Sequence, residues 1–94
     1  MVDSEKLIGD VVSSIVEKVL MNIGITTYTK VGEILADHNL TFSDCYEKPE
    51  ILNFALKELF GNSYLVIVDK IKIELGELED DNHGLAMFVQ KISE

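Results

Sequence analysis

The chain has 94 residues, 47% hydrophobic and 27% charged, which suits one ordered globular domain spanning residues 1–94 and argues against disorder. Its 17 acidic residues stand against 8 lysines and no arginine, for a net charge of −9. Clustered cations are needed to hold nucleic acid or an anionic membrane surface, so both partners are disfavoured.

Five helices are expected in chain order. The first runs from about Ser4, a plausible N-cap, to Ile23, with Gly24 as its stop. Ile8, Val11, Val12, Ile15 and Val19 recur at helical spacing and form one apolar stripe. Leu7, Val16 and Leu20 fall off it, so the apolar surface is wider than a simple surface helix needs. Gly9 and Ser13 are small residues one turn apart, which permits close helix contact.

The second helix covers about Thr27–His38, with Tyr28, Val31, Ile34 and Leu35 as its apolar face and Asn39 as a left-handed cap. Gly32 inside it lowers helix stability by about 1 kcal/mol relative to Ala. Leu40–Lys48 is the longest irregular stretch. Pro49 suits the first position of helix three, and Glu50 complements its dipole. Leu52, Ala55, Leu56, Leu59 and Phe60 form the stripe, Gly61 stops the helix and Ser63 is a candidate cap for the next.

Helix four, about Ser63–Leu75, opposes two signals. Tyr64–Val68 is rich in β-branched residues, and Ile71–Leu75 alternates with period two. Against this, Tyr64, Ile67, Val68, Ile71 and Leu75 fit a helical stripe, and no second strong strand exists to pair with it. Helix is the reading, with Leu65, Val66 and Ile73 left off the stripe. Glu77–Asp81 reads as an acidic loop, after which Asp81 or Asn82 caps a last helix over His83–Ser93 with the stripe Leu85, Phe88, Val89 and Ile92. The whole predicts an all-α fold, a compact bundle of about five helices with short connections.

The stretch Cys45-Tyr46-Glu47-Lys48-Pro49-Glu50, then Leu56-Lys57-Glu58-Leu59-Phe60-Gly61 and Tyr64, Ile67, Val68, Ile71 and Leu75, resembles the Nitrosopumilus output domain family of small archaeal proteins. The likeness is sharpest from Cys45 to Leu78, about a third of the chain. The resemblance implies a small α-helical module, sometimes attached to signalling proteins and acting as their output, in an archaeal cytoplasm. It brings no catalytic residues.

Chemistry-bearing residues are sparse. Cys45 is the only thiol, so an internal disulfide is impossible; with no secretory signal at the start, the expected compartment is a reducing cytoplasm. A reactive thiol needs a cation, a histidine or a helix N-terminus beside it, whereas Asp44 and Glu47 raise its pKa; a buried structural role is expected. Asp37, His38, Asp80, Asp81 and His83 lack the spacing of a metal site, and Glu77–Asp81 lacks the ligand alternation and central glycine of a calcium loop. No nucleophile triad, phosphate loop or dinucleotide fingerprint is present, so no cofactor and no enzymatic activity are expected. The longest fully apolar runs, Tyr64–Val68 among them, are five residues, which argues against a membrane span.

The functional expectation rests on the apolar excess of helices one and four. Either a central helix is buried on all sides, or Leu7, Val16, Leu20, Leu65, Val66 and Ile73 form an interface. The second reading makes the chain a non-catalytic protein–protein interaction or regulatory module, with a homodimer as the commonest arrangement. The acidity then serves solubility or a basic partner. The alternative is a small-ligand-binding or enzymatic domain with a pocket near Cys45, Tyr46 and Tyr64. A helix-turn-helix DNA binder is a third reading, which the charge opposes.

Overall fold

The computed structural model describes residues 4–76 and 82–94. Five α-helices are present among them: α1 (Ser4–Ile23), α2 (Ile25–Asp37), α3 (Pro49–Phe60), α4 (Tyr64–Leu75) and α5 (His83–Ser93). Single 3-10 turns lie at Phe42–Asp44 and Gly61–Ser63. The described residues contain no strand, so the fold is all-α. The count of about five is slightly off as a description of the architecture. α3, the Gly61–Ser63 turn and α4 follow one another without a gap, giving one broken segment and four helical segments in all. The break is at Gly61, whose φ of 56° is a conformation that side chains other than glycine rarely adopt.

α1 packs on α2, on the Phe42–Asp44 turn and on α4, while α3 packs on α2, α4 and α5. Helix wins over strand in α4 because Ile67, Val68, Ile71 and Leu75, at i, i+1, i+4 and i+8, enter the core together. α5 buries all four residues of its expected stripe, Leu85, Phe88, Val89 and Ile92. It is capped by Asn82, whose Oδ1 accepts a 3.1 Å hydrogen bond from the Leu85 N–H. The Glu77–Asp81 loop lies outside the described residues.

α1 is turned relative to its sequence reading. Its buried face is Gly9, Val12, Ser13, Val16, Val19 and Leu20, while Val11 is 38% exposed. Gly9 and Ser13 add little hydrophobicity, so counting apolar side chains points the stripe away from them. Close approach decides instead: an added Cβ at Gly9 would sit 3.8 Å from the Tyr46 Cβ. Ser13 is satisfied locally, its Oγ donating to the Asp10 carbonyl at 3.0 Å.

The joints differ in detail from expectation. Gly24 is extended at φ 165°, not left-handed, and α2 begins at once at Ile25. α2 closes in a Schellman motif: Leu40 N–H donates to the Leu35 carbonyl and Asn39 N–H to the Ala36 carbonyl, both at 2.9 Å. Asn39 takes φ 61°, as expected of a left-handed cap. Ser63 makes no side-chain cap hydrogen bond, because the 3-10 turn occupies that position.

The segment between α2 and α3 is ordered by its own side chains. Asp44 Oδ2 accepts from the Thr41 N–H at 2.9 Å, and Phe42 stacks on Tyr28 with centroids 5.0 Å apart. The helix-weakening Gly32 has a packing reason, since its Cα surface meets Phe42, and an added Cβ would sit 3.4 Å from the ring. Further along, Tyr46 lies over Phe88, and its Oη occupies the space above Gly84. Gly84→Ala is therefore expected to lower stability by about 1–2 kcal/mol, the overlap with Tyr46 outweighing the gain in helix propensity. In Gly84→Ala/Tyr46→Phe, which removes the overlapping hydroxyl, most of that loss returns. Chemical denaturation of the four-member cycle checks it; additivity of the two changes would refute the contact as the cause.

The run Pro49–Leu75 contains an 18-residue window of mean hydropathy 1.3, 28% of it buried, which by length and composition suffices to cross a membrane. Short apolar runs alone therefore do not exclude a span, contrary to expectation. Its geometry is less suited. Gly61 divides it into two 12-residue helices, each about 18 Å long against a hydrocarbon core of about 30 Å.

Candidate interaction surface

α4 presents two apolar faces. With Ile67, Val68, Ile71 and Leu75 committed to the core, Leu65, Val66 and Ile73 are left outside. Ile73, at 69%, is the most exposed large hydrophobic residue described. A period of 3.6 sets Val66, Asp69, Lys70 and Ile73 along one exposed line.

Two grooves flank this line. On one side a cleft of about 500 Å³ lies between α1 and α4, lined by Val19, Asn22, Ile23, Lys70, Ile73 and Glu74. Lys18 of α1 crosses to Glu74 at 3.1 Å, an exposed pair that contributes roughly 0–1 kcal/mol. On the other side Leu65, Val66, Asp69 and Lys72 face Val89 and Ser93 of α5 across a shallower groove of about 480 Å³.

The six residues expected at an interface divide. Leu65, Val66 and Ile73 share the α4 surface. Val16 and Leu20 have no exposed surface and belong to the core, because the buried face of α1 is turned toward them. Leu7 is exposed, but it precedes Ile23 by sixteen helical residues, about 24 Å along α1, and stands apart from the α4 patch. Ile23 was missed. It ends the inward-facing part of α1 and is left 37% exposed beside Ile73. Only the pairing of α1 with α4 places it there, and no local signal reports that pairing.

The residues weighed for chemistry are placed as follows. Cys45 is buried, and burial, with the charges of Asp44 and Glu17 adding, pushes its thiol up to about 12. A thiol so raised is protonated at neutral pH and is not a nucleophile. Glu17, from α1, takes the part expected of Glu47. Tyr46 lines a shallow cleft with Gly84, Met87 and Phe88, whereas Tyr64 Oη donates to the Ser93 carbonyl at 2.8 Å. Cys45, Tyr46 and Tyr64 thus have separate structural roles. His38 Nδ1 lies 3.0 Å from the Ile34 carbonyl, its ring edge-on to Phe54. Among the described residues no three His, Cys, Asp or Glu side chains are grouped to hold a metal ion, and Asp80 and Asp81 lie outside them. No family model, curated protein or solved structure matches the chain.

Proposed function

We propose that the chain is a non-catalytic helical interaction module that engages a protein through the outer face of α4, in a regulatory role. The observation that carries this reading is the exposure of Leu65, Val66 and Ile73 on a helix whose inward stripe is already complete. Exposed apolar clusters flanked by charge mark contact surfaces. The net charge of −9 weighs against nucleic acid and anionic lipid as the occupant. The resemblance of the Cys45–Leu78 stretch to the Nitrosopumilus output domain family supports a signalling setting.

A photo-crosslinking residue placed at Leu65 in living cells tests this, with the same residue at Glu33, an exposed position on α2, as control. Protein adducts from position 65 and none from 33 are expected. Lipid adducts, or no position-specific adduct, would overturn the reading. The 500 Å³ cleft beside Ile73 also lies in the size range of small-molecule sites. A metabolite that raises the melting temperature by several degrees, and loses that effect in Ile73→Glu, would instead establish a ligand-binding domain.

A further inference from the structure

We infer that the partner on the α4 face is a second copy of this chain, its α4 lying antiparallel across the first about a two-fold axis at the Asp69–Lys70 peptide. This rests on the interaction reading above and specifies its occupant.

The first support is local charge. Over the whole chain acidic residues outnumber lysines 17 to 8. Around the α4 face, Lys18, Lys70 and Lys72 meet only Asp69 and Glu74. A basic partner would be drawn to the acidic remainder of the molecule. Two copies, each at −9, repel at long range and can meet closely only where charge is balanced and apolar surface is available. The outer α4 face offers both.

The second support is the order of residues along the exposed line, which reads apolar, acidic, basic, apolar: Val66, Asp69, Lys70, Ile73. Inverted about its midpoint, the same line reads apolar, basic, acidic, apolar. Antiparallel pairing therefore sets each Val66 against the other copy's Ile73 and each Asp69 against the other copy's Lys70. That is the self-complementarity a two-fold interface requires, where every contact occurs twice. A parallel pairing would set like charge against like.

The third is size. A stable interface covers about 800 Å² per partner, about one-seventh of this chain's 5760 Å². One 12-residue helix with its two flanking grooves lies at the small end of that class, so association in the micromolar range is expected. Because the net charges repel, raising salt from low to physiological strength strengthens it.

Light scattering and sedimentation on the full chain test this. The wild type is expected to dimerise, and Ile73→Glu to weaken association at least tenfold with an unchanged circular dichroism spectrum. Asp69→Lys and Lys70→Asp are each expected to be monomeric alone, since each sets like charges together. Mixed, they restore two opposite-charge pairs and form a heterodimer. A wild type still monomeric at about 500 µM, well above a micromolar Kd, overturns the inference. So does a mixture that stays monomeric where the wild type pairs. Failure of the broader reading looks different: position 65 then yields no protein adduct in cells, whereas adducts to another protein leave that reading standing and remove self-association.

Discussion

Replacing Leu20 with alanine is expected to lower folding stability by about 2–5 kcal/mol, and replacing Ile73 with alanine by less than about 0.5 kcal/mol when measured below the association range. Both are apolar residues that a sequence reading leaves off the inward stripe of their helices. Leu20 has no exposed surface and lies in the core with Val16 and Val19, so truncation opens a cavity that close-packed neighbours fill only in part. Ile73 is 69% exposed, and truncation removes little that folding had taken from water. Urea denaturation followed by circular dichroism reads the difference as a shift in midpoint at constant slope. A Leu20→Ala variant that keeps its midpoint and loses only association would return Leu20 to the interface.

The second large effect is on the alkaline side. Cys45 has an ordinary value of 9.0 in the unfolded chain and about 12 in the folded one. Between these values the unfolded chain sheds a proton that the folded chain keeps, so unfolding is favoured as pH rises. The neutral thiol's contribution is fully present below about pH 9 and is lost progressively up to about 12. Three pH units correspond to about 4 kcal/mol as an upper bound. Tyrosines and lysines titrate in the same window, so the informative quantity is the difference from Cys45→Ala. The wild type is expected to lose several kcal/mol more than the variant between pH 8 and 11. Parallel pH profiles would show that the thiol is not held neutral by burial. Blocked thiol labelling at pH 8, released by denaturant, reads the same burial directly.

Much of the fold is legible in the sequence because caps and stripes are local. Pro49, Asn39 and Asn82 mark boundaries through their own backbone or side-chain chemistry, and the bounds of α1 and α5 follow from periodicity plus a stop. The face of α1 was not legible, since Gly9 and Ser13 look neutral until Tyr46 is brought against them. The same holds for Gly32, which reads as a weakness in α2 until Phe42 settles on it. The α4 part of the surface could be read because α4 has more apolar positions than one face holds. Val16 and Leu20 could not be told from interface residues, because wholly buried and partner-covered side chains have the same composition. Ile23 depends on where a helix fifty residues later comes to rest.

That last pairing governs how the chain assembles. Lys18 and Glu74 are 56 positions apart, and the inner face of α1 is covered partly by α4. During synthesis the first helix leaves the ribosome with its apolar side bare and waits for one of the last to cover it. Loop-closure entropy opposes such a late, distant contact, while the helices themselves form locally and fast. Folding is then paced by the docking of α4 on α1, and a nascent chain ending before Leu75 carries uncovered apolar surface of the kind that chaperones bind.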